Sequence, residues 1–260
     1  MPRAKEKSTE KKTDVITWGP VSALLVVFAV YVASQILAAV IVSLYPVFKH
    51  WNMAQSTQWL SGSNIAQFWL TVFVEASVLL MLWLFLKSRA TDFNSLGLKG
   101  HPRLIDLGYV LVGFGIYFGA YIIALQIVHV FAPHLNVNQK QDLGFSSSTV
   151  GSQLWLVFIS LVLLPPIVEE ILFRGFLYSG LKVKLPKIAS ALIVSVIFAS
   201  LHLLEGTGGG LLWVAGIDTF ILSLVLVYLR EVTDRLWASM GLHMLKNAIA
   251  FAGLFIFHWN

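Results

Sequence analysis

The chain has 260 residues, 57% of them apolar and only 12% charged, with a mean hydropathy of +0.79. Soluble domains carry about a quarter charged residues, so this composition excludes one and predicts an integral membrane protein in a lipid bilayer. The chain has no cysteine, which rules out thiol nucleophiles, thiolate metal sites and disulfides. Its net charge of +5 does not point to a nucleic-acid partner, because the basic residues sit in short loops between apolar runs rather than on one face.

A basic tail, residues 1–19, opens the chain. The apolar run at 20–45 is too long for a signal-peptide core of about 7–15 residues, and no A-x-A site follows it, so it is read as a retained span. Further runs at 65–86, 104–132, 152–179, 188–204, 211–229 and 236–258 are each long enough to cross about 30 Å of hydrocarbon. They predict an all-α polytopic bundle of seven spans, or eight if the last is broken. With the amino terminus inside, fourteen of the eighteen Lys and Arg fall in inner segments and only Lys49 and Lys140 in outer ones. This bias places the tail in the cytoplasm, in a multi-pass protein of the cell membrane. The polar stretches 49–64 and 133–151 are then outer loops.

The fourth run contains PPIVEEILFRG, Pro165 to Gly175. Charged side chains at bilayer depth cost roughly 2.5–3.5 kcal/mol each on insertion scales, so three within six residues need a compensating reason. On a helix, Glu169 and Glu170 point to different sides, while Glu170 and Arg174, four apart, share a face and can pair. Glu169 has no such partner within its own helix, as expected of a carboxylate kept for proton transfer. The alternative is that all three tie helices together. His202 lies in the fifth run, and His243 and Asn247, four apart and on one face, lie in the seventh. Ionisable groups on separate spans converge on a protein-lined or water-filled cavity.

Glu169-Glu170-x-x-x-Arg174, Phe198-x-x-x-His202 and His243-x-x-x-Asn247 resemble, in order, type and spacing, the three motifs of the CPBP, or Abi, intramembrane glutamic proteases. That family includes type II CaaX prenyl endopeptidases and proteins linked to bacteriocin maturation or immunity. The resemblance covers residues 150–255. It implies an intramembrane endopeptidase in which Glu169 and His202 activate a water and His243 and Asn247 stabilise the oxyanion, with Glu170, Arg174 and Phe198 supporting. It implies no cofactor, and a peptide or protein substrate that is prenylated in some members and bacteriocin-like in others. Residues 150–258 are then the catalytic core and 20–149 accessory spans.

Glu169, His202 and His243 would also supply a His₂Glu zinc set, although the H-E-x-x-H signature of such membrane proteases is absent. The signatures of serine and aspartyl intramembrane proteases are absent too. A membrane scaffold or bacteriocin-immunity protein, and a transporter, are the non-protease alternatives. A transporter would be expected to show paired broken helices, which the chain lacks. Asp218, Glu75 and Lys246 are charged positions outside the motifs. Asp218 is read as a cavity or partner group, and an ion pair between Glu75 and Lys246 is a candidate. Trp155, Phe173 and Phe176 are candidates for an apolar groove. His202 lies about 21 Å into a helix starting at Ile188, deeper than the other motifs. This suggests that the helix starts below the membrane, near Leu185, and that the glycine-rich segment Glu205–Gly210 sits at membrane depth.

Overall fold

The computed structural model describes residues 16–136, 139, 141, 143–146, 149–203 and 210–258. Its regular elements are helices: α1 (Pro20–Phe48), α2 (Met53–Gly62), α3 (Asn64–Ser88), α4 (Leu104–Phe131), α5 (Gln153–Lys182), α6 (Lys187–His202), α7 (Trp213–Thr233) and α8 (Trp237–Ile256). Among the described residues six of these, α1, α3, α4, α5, α7 and α8, are long and apolar enough to cross a membrane. The protein is thus an all-α, multi-pass membrane bundle.

The expected fifth span is α6, whose 16 residues reach about 24 Å, less than the hydrocarbon thickness. It starts at Lys187 rather than Leu185. The glycine-rich segment expected at membrane depth lies, apart from Gly210, outside the described residues. The last span is continuous: an α-helix to Phe251 widens into a π turn at Ala252–Ile256 without breaking. In the polar stretch read as a loop, α2 forms because Asn52 and Gln55 cap each other, with bonds of 2.9 and 3.0 Å.

Helix α5 is the axis of the fold and packs on α1, α3, α6, α7 and α8. Two segments of it, Ile159–Leu163 and Glu170–Leu177, are π-helical, a form frequent at functional sites. The first has a cause in the sequence. Pro165 and Pro166 lack N–H groups, so the Leu161 carbonyl meets no donor four or five residues on. Before the prolines the chain bonds i to i+5 instead, with the Leu164 N–H donating to the Ile159 carbonyl.

The loops joining α3 to α4, α5 to α6 and α7 to α8 gather at one end of the bundle, the end that carries most of the described basic residues. Lys99 pairs with Asp234 at 2.9 Å, Arg230 with Asp234 at 3.0 Å and Arg235 with Asp106 at 3.4 Å. Glu231 takes Lys187 at 2.6 Å and also Lys182. Partial burial alone would raise the Asp234 carboxyl, but Lys99 and Arg230 together outweigh it and hold the group below its ordinary value.

The start of α1 lies at the same end. Trp18 stacks on Phe176 at 4.8 Å, meets the edge of Phe85 at 6.1 Å, and donates its indole N–H to the Phe176 carbonyl at 3.2 Å. In lipid, helices associate through close packing, which favours small residues at contacts. Gly180 is one of these: a Cβ there would meet Trp18 Cδ1 at 2.6 Å and Ala23 Cβ at 2.7 Å. Gly180→Ala is expected to destabilise the protein by about 1–3 kcal/mol through overpacking. This would be read as a lowered thermal midpoint in detergent, and an unchanged midpoint would contradict the packing described.

Candidate active site

A cavity of about 390 Å³ opens between α1, α3 and the helices α5 to α8. Glu169, His202, His243 and Asn247 all line it, so the four side chains predicted from separate spans do converge. The size lies in the range of ligand-binding clefts.

The two adjacent glutamates part company as helical geometry requires. The Glu169 side chain is 27% exposed and faces the cavity, whereas Glu170 and Arg174 are fully buried. Glu170 Oε1 lies 2.9 Å from Arg174 Nη1 and also 3.1 Å from His243 Nδ1. The Arg174 nitrogens meet no aligned hydrogen-bond acceptor among the described residues; the guanidinium instead lies 4.3 Å over the Phe198 ring. Its charge is balanced by Glu170 and by the ring face, a combination that lowers the cost of desolvation.

His243 is 3% exposed and bridges the two glutamates. A carboxylate oxygen only accepts, so Nδ1 carries the proton facing Glu170, and this turns Nε2 toward Glu169 Oε2 at 3.8 Å. His202, the last residue of α6, is oriented in the same way. Its Nδ1–H donates to the Phe198 carbonyl at 2.9 Å, leaving Nε2 as an acceptor. Phe198 is fully buried, with His202 at 4.7 Å and His243 edge-on at 5.8 Å, so the motif phenylalanine spaces both histidines and carries Arg174. Asn247 Nδ2 donates at 2.9 Å to the Leu161 carbonyl, the group orphaned by Pro165 and Pro166. Its second amide hydrogen can serve the cavity.

Other charged positions fall differently from the sequence reading. Lys246 pairs with Asp218 at 2.9 Å and not with Glu75, because α7 and α8 are packed neighbours. Asp218 also accepts from Tyr117 Oη, a partner on α4 that no motif flagged. Glu75 lines the cavity from α3. Of the aromatic residues considered for a groove, Phe173 lines the cavity, Phe176 is buried against Trp18, and Trp155 is 67% exposed.

Among the described residues no three His, Asp or Glu side chains are grouped to hold a metal ion.

Ionisable side chains from four spans and α6 thus meet in one cavity of a multi-pass membrane protein. Residues 151–249, from just before α5 into α8, match the family described as type II CAAX prenyl endopeptidase Rce1-like. This match agrees with the resemblance of the three motifs to CAAX-type intramembrane proteases. No curated protein and no solved structure matches the chain.

Proposed function

We propose that the protein is an intramembrane endopeptidase of the glutamic type, in which Glu169 is the general base. The observation that carries this reading is the convergence of a cavity-facing Glu169 with His243 Nε2 at 3.8 Å and with His202 in the same cavity. Glu169 removes a proton from water held by His202 Nε2, and the water oxygen bonds to the scissile carbonyl carbon. The oxyanion meets the Asn247 amide and His243 Nε2–H, which requires His243 to carry both ring protons, with Glu169 and Glu170 as counter-charges. The C–N bond then breaks, and Glu169 returns its proton to the leaving amine. No covalent intermediate and no metal takes part in these steps.

The basic end of the bundle is assigned to the cytoplasm, which brings the site to the inner half of the cell membrane. Substrates are peptides reaching that depth, with a prenylated carboxy-terminal segment as the class favoured by the family match.

The test is cleavage of a fluorogenic peptide library, half of it prenylated, by purified protein in detergent with and without 1,10-phenanthroline. Cleavage that ignores the chelator and prefers the prenylated half is expected. Loss of cleavage with chelator, restored by zinc, would overturn the metal-independent mechanism. An absence of any cleavage would favour the scaffold or immunity alternative.

A further inference from the structure

The cavity that holds the four motif side chains is placed unevenly along the bundle. On α3 its wall runs from Gln67 to Val78, on α7 from Ala215 to Leu222 and on α8 from His243 to Phe255. Each stretch stops short of the basic end. From Val78 to Ser88, from Leu222 to Thr233 and from His243 back to Trp237, about 9–17 Å of helix adds nothing to the wall. That interval is filled by close-packed apolar side chains, among them the fully buried Leu82, Phe176, Leu177 and Leu236. Among the described residues, none from the loops at the basic end reaches the cavity.

Exposure along the wall changes in the same direction. Val78, Leu172, Phe198 and Leu222 close the cavity toward the basic end and are buried. Gln35 at the middle of α1, and Ala250, Leu254 and Gln141 further from that end, are exposed. Polar groups follow the open part. Gln67, Thr71 and Glu75, spaced four apart on one face of α3, all line it, as does Ser160 on α5. Amides and hydroxyls at bilayer depth are stable where water or another polar group serves them. Gln35, Gln67, Thr71 and Glu75 all lie outside the matched family segment, so this polar wall is supplied by the accessory spans.

Hydrolysis at Glu169 needs water, and a packed apolar layer supplies none. We propose that the cavity opens at the face opposite the basic loops and is closed toward them. Water and the peptide chain then reach Glu169 from the non-cytoplasmic side. The peptide half of this inference rests on the proposed function, whereas the position of the opening does not. The substrate class follows from the shape. From Gln67 to Glu75 the wall descends about 12 Å, which an extended chain covers in about four residues. A space of about 390 Å³ takes such a strand and not a folded domain. The substrate is an unfolded peptide segment presented at the outer surface.

The full-length chain has no cysteine, so single cysteines can be read without background. Thr71→Cys and Val74→Cys place a thiol on the cavity wall, while the exposed Ser61→Cys and Ser88→Cys mark the outer and the basic end. Each variant is treated with a membrane-impermeant methanethiosulfonate cation in right-side-out and in inverted vesicles. Both cavity thiols should react in the vesicles in which Ser61→Cys reacts, and stay unlabelled in those in which Ser88→Cys reacts. Reaction from the Ser88 side, from both sides or from neither would overturn the proposed opening.

The same vesicles then receive a fluorogenic peptide that the wild-type protein cleaves in detergent. Cleavage is expected at the face where Ser61→Cys reacts. Cleavage at the other face alone would overturn the assigned substrate side. If no peptide is cleaved in detergent, the peptidase reading fails by itself, and the thiol reactions still decide the opening.

Discussion

Glu169→Gln is expected to remove peptide cleavage while the protein stays folded. A positioned base contributes about 10²–10⁴-fold to a proton-transfer step, so kcat should fall by that factor or more. The amide keeps the shape of the carboxylate and loses its basicity. The side chain is 27% exposed and faces the cavity, so the exchange removes no core contact. It removes a negative charge that repels Glu75 and that also faces His243, so the thermal midpoint should hold. Measuring kcat and thermal midpoint on the same preparation checks both halves. Retained turnover would show that another group is the base, and a collapsed midpoint would show that Glu169 is structural.

The opposite pattern is expected one residue further on. Glu170 and Arg174 are 0% exposed, and removing either leaves the other charged and buried. Breaking such a pair costs about 3–5 kcal/mol. Glu170→Ala should be the more damaging of the two, because Glu170 Oε1 also holds His243 Nδ1 at 3.1 Å. Its loss frees the imidazole to turn as well as stranding Arg174. Replacing both together, as Glu170→Leu with Arg174→Met, should recover much of the folded protein, since well-packed apolar residues often match a buried ion pair in stability. Activity should not return with it, because His243 has lost its orienting partner. Yield of monodisperse protein, thermal midpoint and cleavage rate separate these outcomes. Equal losses of folded protein in Glu169→Gln and Glu170→Ala would erase the division of roles.

The helical frame was legible because long apolar runs have few alternatives in lipid. The i, i+4 relation likewise gave Glu170 with Arg174 correctly from the sequence. The contacts that escaped are those between helices distant in the chain. His243 with Glu170 is a pair 73 residues apart, and no local spacing encodes it. The Glu75 with Lys246 pairing was proposed from charge alone, whereas packing of α7 on α8 gave Lys246 to Asp218. The part taken by α3 had a readable signal, Gln67, Thr71 and Glu75 on one helical face, but it lies outside any motif. The run read at 188–204 is, as α6, the 16 residues Lys187–His202, because hydropathy does not mark where a helix starts or stops.

The prolines of α5 also bear on the order in which the molecule is made. Leu161 leaves the ribosome with a carbonyl that its own helix cannot satisfy, and the side chain that answers it, Asn247, is synthesised 86 residues later. Until then the fourth long apolar segment sits in the bilayer with an unmet acceptor, a costly condition in hydrocarbon. Docking of α8 therefore completes α5 and assembles the motif histidine and asparagine beside Glu169 in the same event. A nascent chain stalled before α8 would be incompletely bonded and, under the proposed mechanism, would also lack the groups that meet the oxyanion.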